Sequence, residues 1–242
     1  MKAILLCAGF ATRMYPLTKN RAKPLLPVAG KPILGHLVDQ LESTGSFDEI
    51  LVIANARFHA HFVEWGGARV TILNDGAATD ETRLGAIGDL AWALETRALQ
   101  APLLVAAGDN LFRDSLEAFV ADYHAHPRNL ILRYRETDRE KLERTGVAEI
   151  KDDDGRLVRL EEKPRDPTTE WACPALYILE ADALDELGTY VEEKPGADAL
   201  GSFIAWLAPR VPVFTHAMQG SRLDVGDPEG YARAESWLTN GV

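Results

Sequence analysis

Two cations follow a short apolar run at the start of the chain. In ILLCAGFATR and AKPLLPV, Arg13 and Lys23 lie behind the run Ala3–Cys7, with Gly9 at its end. Glycine lets backbone come close to a ligand, and backbone amides beside a guanidinium suit a triphosphate. The same residues also describe an ordinary glycine turn with two surface cations. The spacing is not GxxxxGK(S/T), which excludes a Walker-type loop, and Ala11 and Met14 break the GxGxxG dinucleotide pattern.

Two aspartates are placed for chemistry further along. Asp109 ends the run LLVAAGD, and ligands gather at the carboxyl ends of strands in open α/β sheets. The lesser alternative is a cap for a following helix. Asp224 sits in a polar turn, where aspartate serves as a ligand or as a turn former. Asp227, just before Pro228, reads as the cap of a terminal helix. The pairs His59/His61 and His124/His126 do not share a helix face, so neither reads as a metal pair. The run Asp152–Asp154 reads as a solvated hairpin turn, since the late glutamate of a calcium loop is missing.

LCAGFATRMYPLTKNRAKPLLPVAGKP, Leu6 to Pro32, resembles the opening signature of the sugar-phosphate nucleotidyltransferases, or nucleotide-sugar pyrophosphorylases. GDN at Gly108–Asn110, EEKP at Glu161–Pro164 and RLDVGDPEGYARA at Arg222–Ala234 resemble the later motifs in order, so the resemblance covers nearly the whole chain. It implies a magnesium-assisted attack by a sugar phosphate oxygen on the nucleotide α-phosphorus, releasing pyrophosphate. Arg13 and Lys23 match the catalytic cations on the phosphates, and Ala8 and Gly9 the nucleotide-binding backbone. Asp109 and Asp224 match the Mg²⁺ carboxylates. Gly146, Glu162 and Lys163 match the sugar-phosphate contacts, with Glu161 as the competitor of Glu162. Pro164 is expected to hold the backbone before it extended.

Gly85 and Gly88 match glycines that border the nucleoside, although a loop and helix packing explain them equally well. Asn74 or Thr82 stand where relatives carry a base-reading side chain. CPALY departs from the usual Asn-Ala-Gly-aliphatic-Tyr pattern, which leaves the sugar contact of this stretch unassigned and Tyr177 either core or contact. The family's frequencies favour dTTP or UTP with glucose 1-phosphate. A CTP-dependent cytidylyltransferase acting on phosphocholine or another non-sugar phosphate is the chemical rival, and an inactive nucleotide-sugar sensor the rival of another class.

These residues need a framework to meet. Short apolar runs at Ala3–Cys7, Glu49–Asn55, Ala68–Leu73 and Leu103–Ala107 alternate with helical periodicity at Ile33–Thr44, Ala56–Trp65 and Ala86–Leu99. That alternation predicts a parallel α/β sheet. Helices are expected over Ser115–His124, Asp182–Leu187, Asp198–Leu207 and Pro228–Leu238. NLILRYR, GVAEIKDDDGRLVRLEEKP and ACPALYILE read as strands of an antiparallel extension, and VPVFTH as a late strand. With the resemblance, the expected fold is Rossmann-like and GT-A-like: a mixed, mainly parallel sheet flanked by helices, with a small antiparallel sugar-binding extension.

The bulk numbers bound the reading. With 242 residues, 46% hydrophobic and 26% charged, one domain over 1–242 is expected. A net charge of -11 repels a phosphate backbone, so nucleic acid is not an expected partner. No segment reaches the roughly 18 apolar residues of a membrane helix, and Cys7 and Cys173 form no disulfide framework, so a soluble cytoplasmic protein is expected. A homo-oligomer is left open.

Overall fold

The computed structural model describes residues 1–151, 154–220 and 222–240. In its first half, the apolar runs become strands and the amphipathic stretches become helices between them. β1 (Lys2–Leu6) leads through a long loop, with a small hairpin of β2 (Pro27–Val28) and β3 (Lys31–Pro32), into α1 (Ile33–Ser43). β4 (Glu49–Ala54), α2 (His59–Gly66), β5 (Thr71–Asn74), α3 (Gly85–Arg97) and β6 (Leu103–Ala107) follow. The second half contains β7 (Asn110–Phe112), α4 (Glu117–Ala125), β8 (Asn129–Arg135), α5 (Arg139–Leu142), β9 (Gly146–Ile150) and β10 (Leu157–Glu162). After it come β11 (Trp171–Cys173), β12 (Leu176–Leu179), α6 (Ala181–Glu193), α7 (Leu200–Leu207), β13 (Val213–Ala217), β14 (Arg222–Asp224) and α8 (Pro228–Asn240).

The main sheet runs β10-β9-β11-β8-β12-β6-β1-β4-β5, with β13 beside β8. β1 pairs in parallel with β4 and β6, and β4 with β5. Their residues are covered on both faces, which is why the sequences lack a polar alternation. β12 runs antiparallel between β6 and β8, and β9, β10 and β11 carry the antiparallel pattern outward. This is the mixed α/β architecture expected.

Helices cover both faces of the sheet. One core includes Leu37 of α1, Phe62 of α2 and Phe119 of α4; the other includes Leu90 of α3, Tyr190 of α6 and Phe203 of α7. A third cluster joins Met14, Leu26, Leu111, Val225 and Ala234, and so ties the opening loop to α8 and to the strand after β6.

The differences from expectation have local causes. ACPALYILE divides at Pro174 into β11 and β12, because proline cannot donate to a sheet ladder. α6 runs on to Glu193, beyond the expected Leu187. β7 and β14, only three residues each, form a separate antiparallel ladder that the sequence does not announce, since such strands are too short for periodicity. Asp152 and Asp153 of the expected hairpin turn lie outside the described residues, while β9 and β10 on either side pair as expected. Asp227 caps α8 as expected, its Oδ1 accepting the Gly230 amide at 2.7 Å.

Candidate active site

β1 and β6 are neighbours in the sheet, so the loops after them leave it side by side. The amide of Gly108 donates to the Leu6 carbonyl at 3.1 Å, and the Asn55 side chain donates to the Ala8 carbonyl at 2.8 Å. Beyond them the chain turns at Ala11, which has φ 49° and ψ 43°. This left-handed conformation, unusual for a residue with a Cβ, is held by Thr18 Oγ1 and the Met14 amide, both donating to the Ala11 carbonyl. The turn carries Arg13 outward on a 3-10 turn, Thr12–Met14.

A cavity of about 410 Å³ opens over this loop, within the range of roughly 300–1,000 Å³ usual for small-molecule sites. Ala8, Gly9, Arg13 and Gly85 line it together with Asp89 and Asp198. Gly85 starts α3 at φ 77°, and a Cβ there would press on Asp198. Of the expected nucleoside residues, Gly88 does not line the cavity: it faces Leu84 within its own helix, where a Cβ would come to 2.9 Å. Asn74 and Thr82 are not on its wall either.

A second cavity, about 160 Å³, adjoins the first across Ala107 and Leu200, which line both. Asp109, Asp224, Gly146, Glu162, Lys163 and Tyr177 line it. Asp109 is followed by β7 and not by a helix, so it is no cap. The β7–β14 ladder sets Asp224 opposite Asn110, one residue from Asp109. Lys23 Nζ lies 2.5 Å from Asp109 Oδ2. Burial pushes the Asp109 carboxyl up, but the Lys23 ammonium and its hydrogen bond, with Arg222 behind them, hold it below the ordinary aspartate value, so it is ionised.

Glu162 and Lys163 reach the same cavity by a route the sequence did not suggest. Adjacent strand residues face opposite ways, and Pro164 was expected to keep the preceding backbone extended. Lys163 instead has φ 52°, with its amide donating to the Thr145 carbonyl at 3.0 Å. That left-handed turn at the end of β10 brings Lys163 Nζ to 3.7 Å from Glu162 Oε1. Burial raises the Glu162 carboxyl above its ordinary value despite the opposing Lys163 and Arg222 charges. Glu161 faces away, paired with Arg159 at 2.9 Å.

Four residues of these walls escaped the sequence reading. Arg222 donates to Asn110 Oδ1 at 2.5 Å and lies 3.5 Å from Asp224; its place two residues before Asp224 was the available signal. Arg144 lines the smaller cavity. Gly201 of α7 gives no local signal, because its role is to leave room for the Glu162 carboxylate, which a Cβ would overlap. Asp89 carries no motif at all.

As a metal site, Asp109 and Asp224 offer hard carboxylate oxygens and no sulfur or imidazole. No cluster of three or more His, Cys, Asp or Glu suited to a metal occurs among the described residues. Two carboxylates, with phosphate oxygens and water completing the shell, fit Mg²⁺ and do not fit an all-protein zinc or calcium cage.

Two adjoining cavities, one over a cationic glycine loop and one lined by two carboxylates, thus lie beside the carboxyl ends of β1 and β6 in this α/β protein. The sequence profile of the Nucleotidyl transferase family matches residues 2–241, and the chain belongs to that family. Among curated relatives, the bifunctional protein GlmU of Methanocaldococcus jannaschii is 27% identical over all of this chain and 55% of its own length. The UTP--glucose-1-phosphate uridylyltransferase AglF of Haloferax volcanii is 26% identical over 98% of this chain and 96% of its own. The chain thus spans about half the length of the GlmU relatives it matches. Among solved structures, a candidate glucose-1-phosphate thymidylyltransferase from Bacillus anthracis, in complex with sucrose, superposes with a TM-score of 0.83 at 25% identity, covering 98% of this chain and 95% of that one. No helix among the described residues is long and apolar enough to cross a membrane.

Proposed function

We propose that this protein transfers a nucleotidyl group from a nucleoside triphosphate to a sugar 1-phosphate and releases pyrophosphate. One observation carries the reading: the cavity over the Arg13 loop and the cavity holding Glu162 and Lys163 adjoin, and Asp109 with Lys23 sits beside their shared wall. The triphosphate lies on the backbone of Ala8 and Gly9. The acceptor phosphate lies against Lys163, with the sugar hydroxyls toward Glu162 and the backbone of Gly146.

A phosphate oxygen of the acceptor attacks the α-phosphorus; one P–O bond forms there and the bond to the β-phosphate oxygen breaks. The nucleophile is already an anion, so no general base is required. Arg13 offsets the charge growing on the departing pyrophosphate, and Lys23 that on the reacting phosphates. Asp109 and Asp224 would hold Mg²⁺, which would supply neutralisation of phosphate charge. We place the reaction in the cytoplasm, in keeping with two free, buried thiols.

Glucose 1-phosphate is the proposed acceptor, supported by the names of AglF and the Bacillus anthracis structure. Those names point to thymidylyl and uridylyl donors, but a guanylyltransferase from Arabidopsis thaliana also matches, at 26% identity, so relatives alone do not choose the base. Phosphocholine suits the smaller cavity poorly. A quaternary ammonium is held by aromatic faces, and the one aromatic lining residue, Tyr177, is 1% exposed. An inactive sensor would be expected to lack a carboxylate or a cation, and this chain keeps all of them.

The test is pyrophosphate release from each common nucleoside triphosphate paired with a panel of sugar 1-phosphates and phosphocholine, with and without Mg²⁺. Magnesium-dependent release with a sugar 1-phosphate is expected. Nucleotide binding with no release from any pair would overturn the transferase reading.

A further inference from the structure

The larger cavity has an acidic wall that phosphate binding does not use. Asp89, near the start of α3, lines it and is only 4% exposed. Its Oδ1 is fully buried with no hydrogen-bond donor, and so is Oδ2 of Asp75, in the turn after β5. The other oxygen of Asp75 accepts the Ala77 amide at 2.8 Å. The half-buried Asp75 carboxyl lies against the buried Asp89 carboxyl, and one proton held between them relieves the repulsion of two adjacent carboxylates. Burial, with the Asp75 charge next to it, pushes Asp89 up to about 8.

The shared proton satisfies the oxygens between the two carboxyls and leaves the pair one negative charge. Among the described residues, no protein donor reaches the Asp89 side chain. Arg83, a cation of this wall, is engaged with Asp80 at 3.0 Å and Asp198 at 3.7 Å. The remaining oxygen of Asp89, Oδ2, therefore offers the cavity a hydrogen-bond acceptor.

Nucleobases differ in what they present to such an acceptor. Cytosine, adenine and guanine carry an exocyclic amino group, and a carboxylate accepts from it. Uracil and thymine carry a carbonyl oxygen at the corresponding place and flank their single N–H with two carbonyls. Placed against Asp89, those oxygens meet another acceptor.

We propose that Asp89 is a specificity-determining residue that selects a nucleoside triphosphate whose base carries an exocyclic amino group over UTP and dTTP. This rests on the transferase reading, in which the larger cavity receives the nucleoside. It departs from the donors that family frequency favours, for a reason that lies in the α3 and β5 turn.

The test compares kcat/KM for CTP, ATP, GTP, UTP and dTTP with one sugar 1-phosphate at fixed pH, alongside equilibrium binding of each nucleotide without acceptor. In the unaltered protein, one amino-bearing donor is expected to exceed UTP and dTTP at least tenfold. Asp89→Ala lowers that ratio roughly 10- to 100-fold, chiefly through the KM of the amino-bearing donor. Asp89→Asn keeps most of it, since its amide donates to Asp75 and its carbonyl oxygen still faces the base. Preference for UTP or dTTP in the unaltered protein overturns the proposal, as does an Asp89→Ala variant that weakens all five donors equally. If Asp89→Ala does not fold, the unaltered protein and Asp89→Asn decide the matter. If no pair releases pyrophosphate, the transferase reading fails on its own, and the binding series still decides: equal affinities, or tighter UTP or dTTP, overturn the role of Asp89.

Discussion

Lys23 Nζ stands 2.5 Å from Asp109 Oδ2, joining the opening loop to the end of β6 across 86 residues of sequence (109 − 23). The pair places a cation beside a carboxylate suited to Mg²⁺ that lines the smaller cavity, two residues from Ala107, which lines both. Lys23→Met is expected to lower kcat roughly 100- to 1,000-fold, the usual loss when one aligned charge-stabilising group is removed. Steady-state pyrophosphate release measures it, with a circular dichroism melt to establish that the fold is kept. A variant with undiminished kcat would remove Lys23 from the transfer step.

Gly201 and Glu162 make a second long-range pair. A Cβ at position 201 overlaps the Glu162 carboxylate, so Gly201→Ala must move that carboxylate out of the smaller cavity. The acceptor KM is expected to rise at least tenfold while the nucleotide KM changes little. Overpacking of this kind also costs about 1–3 kcal/mol of stability. An unchanged acceptor KM would show that the Glu162 carboxylate does not set acceptor affinity.

Ala11 holds a left-handed conformation that costs an L-residue roughly 1–2 kcal/mol, against about 0.5–1 kcal/mol of extra chain entropy for glycine. Ala11→Gly should therefore stabilise the fold by up to about 1 kcal/mol, raising Tm by about 2–4 °C. Scanning calorimetry reads this directly. A lowered Tm would mean that the Ala11 methyl contributes more by packing than it costs by strain.

The Asp75–Asp89 pair makes stability depend on pH. Asp89 has an ordinary value of 3.8 and is raised to about 8 in the folded chain, so between these values the folded state binds more protons than the unfolded one. Stability from this source is full below about pH 4 and is lost as pH rises toward 8, with a slope no steeper than about 1.4 kcal/mol per pH unit. Other carboxyls run the opposite way. Asp109 and Asp122, both held low, add stability that acid removes. The clean observable is the difference between the unaltered protein and Asp89→Asn in urea melts from pH 5 to 8: the variant should gain on the parent as pH rises. A constant difference across that range would mean that Asp89 is not protonated in the fold.

Much of the framework was legible because it is local. The parallel strands are apolar runs, the helices repeat at 3.6 residues, and β6 falls on the expected Leu103–Ala107. Arg13, Lys23, Asp109, Glu162 and Lys163 were proposed from motifs, which are also local. For Gly88 the sequence left a nucleoside contact and helix packing open, because proximity to Gly85 does not specify which side of a helix faces a ligand; in the structure it lies against Leu84. Lys163 was expected to be extended because Pro164 disfavours helix before it, whereas the turn into the cavity, with its amide bonded to Thr145, overrides that preference.

The sequence alone determined the sheet-and-helix alternation, the phosphate loop and the identities of most charged groups. The tertiary structure alone decided which of them meet. The β14–β7 register sets Asp224 opposite Asn110, α7 brings Gly201 under Glu162, and the turn after β5 brings Asp75 beside Asp89. Each depends on chain segments far apart in sequence. Side-chain periodicity encodes the burial of a single element, but which element buries it, and in what register, is set by packing of the whole chain.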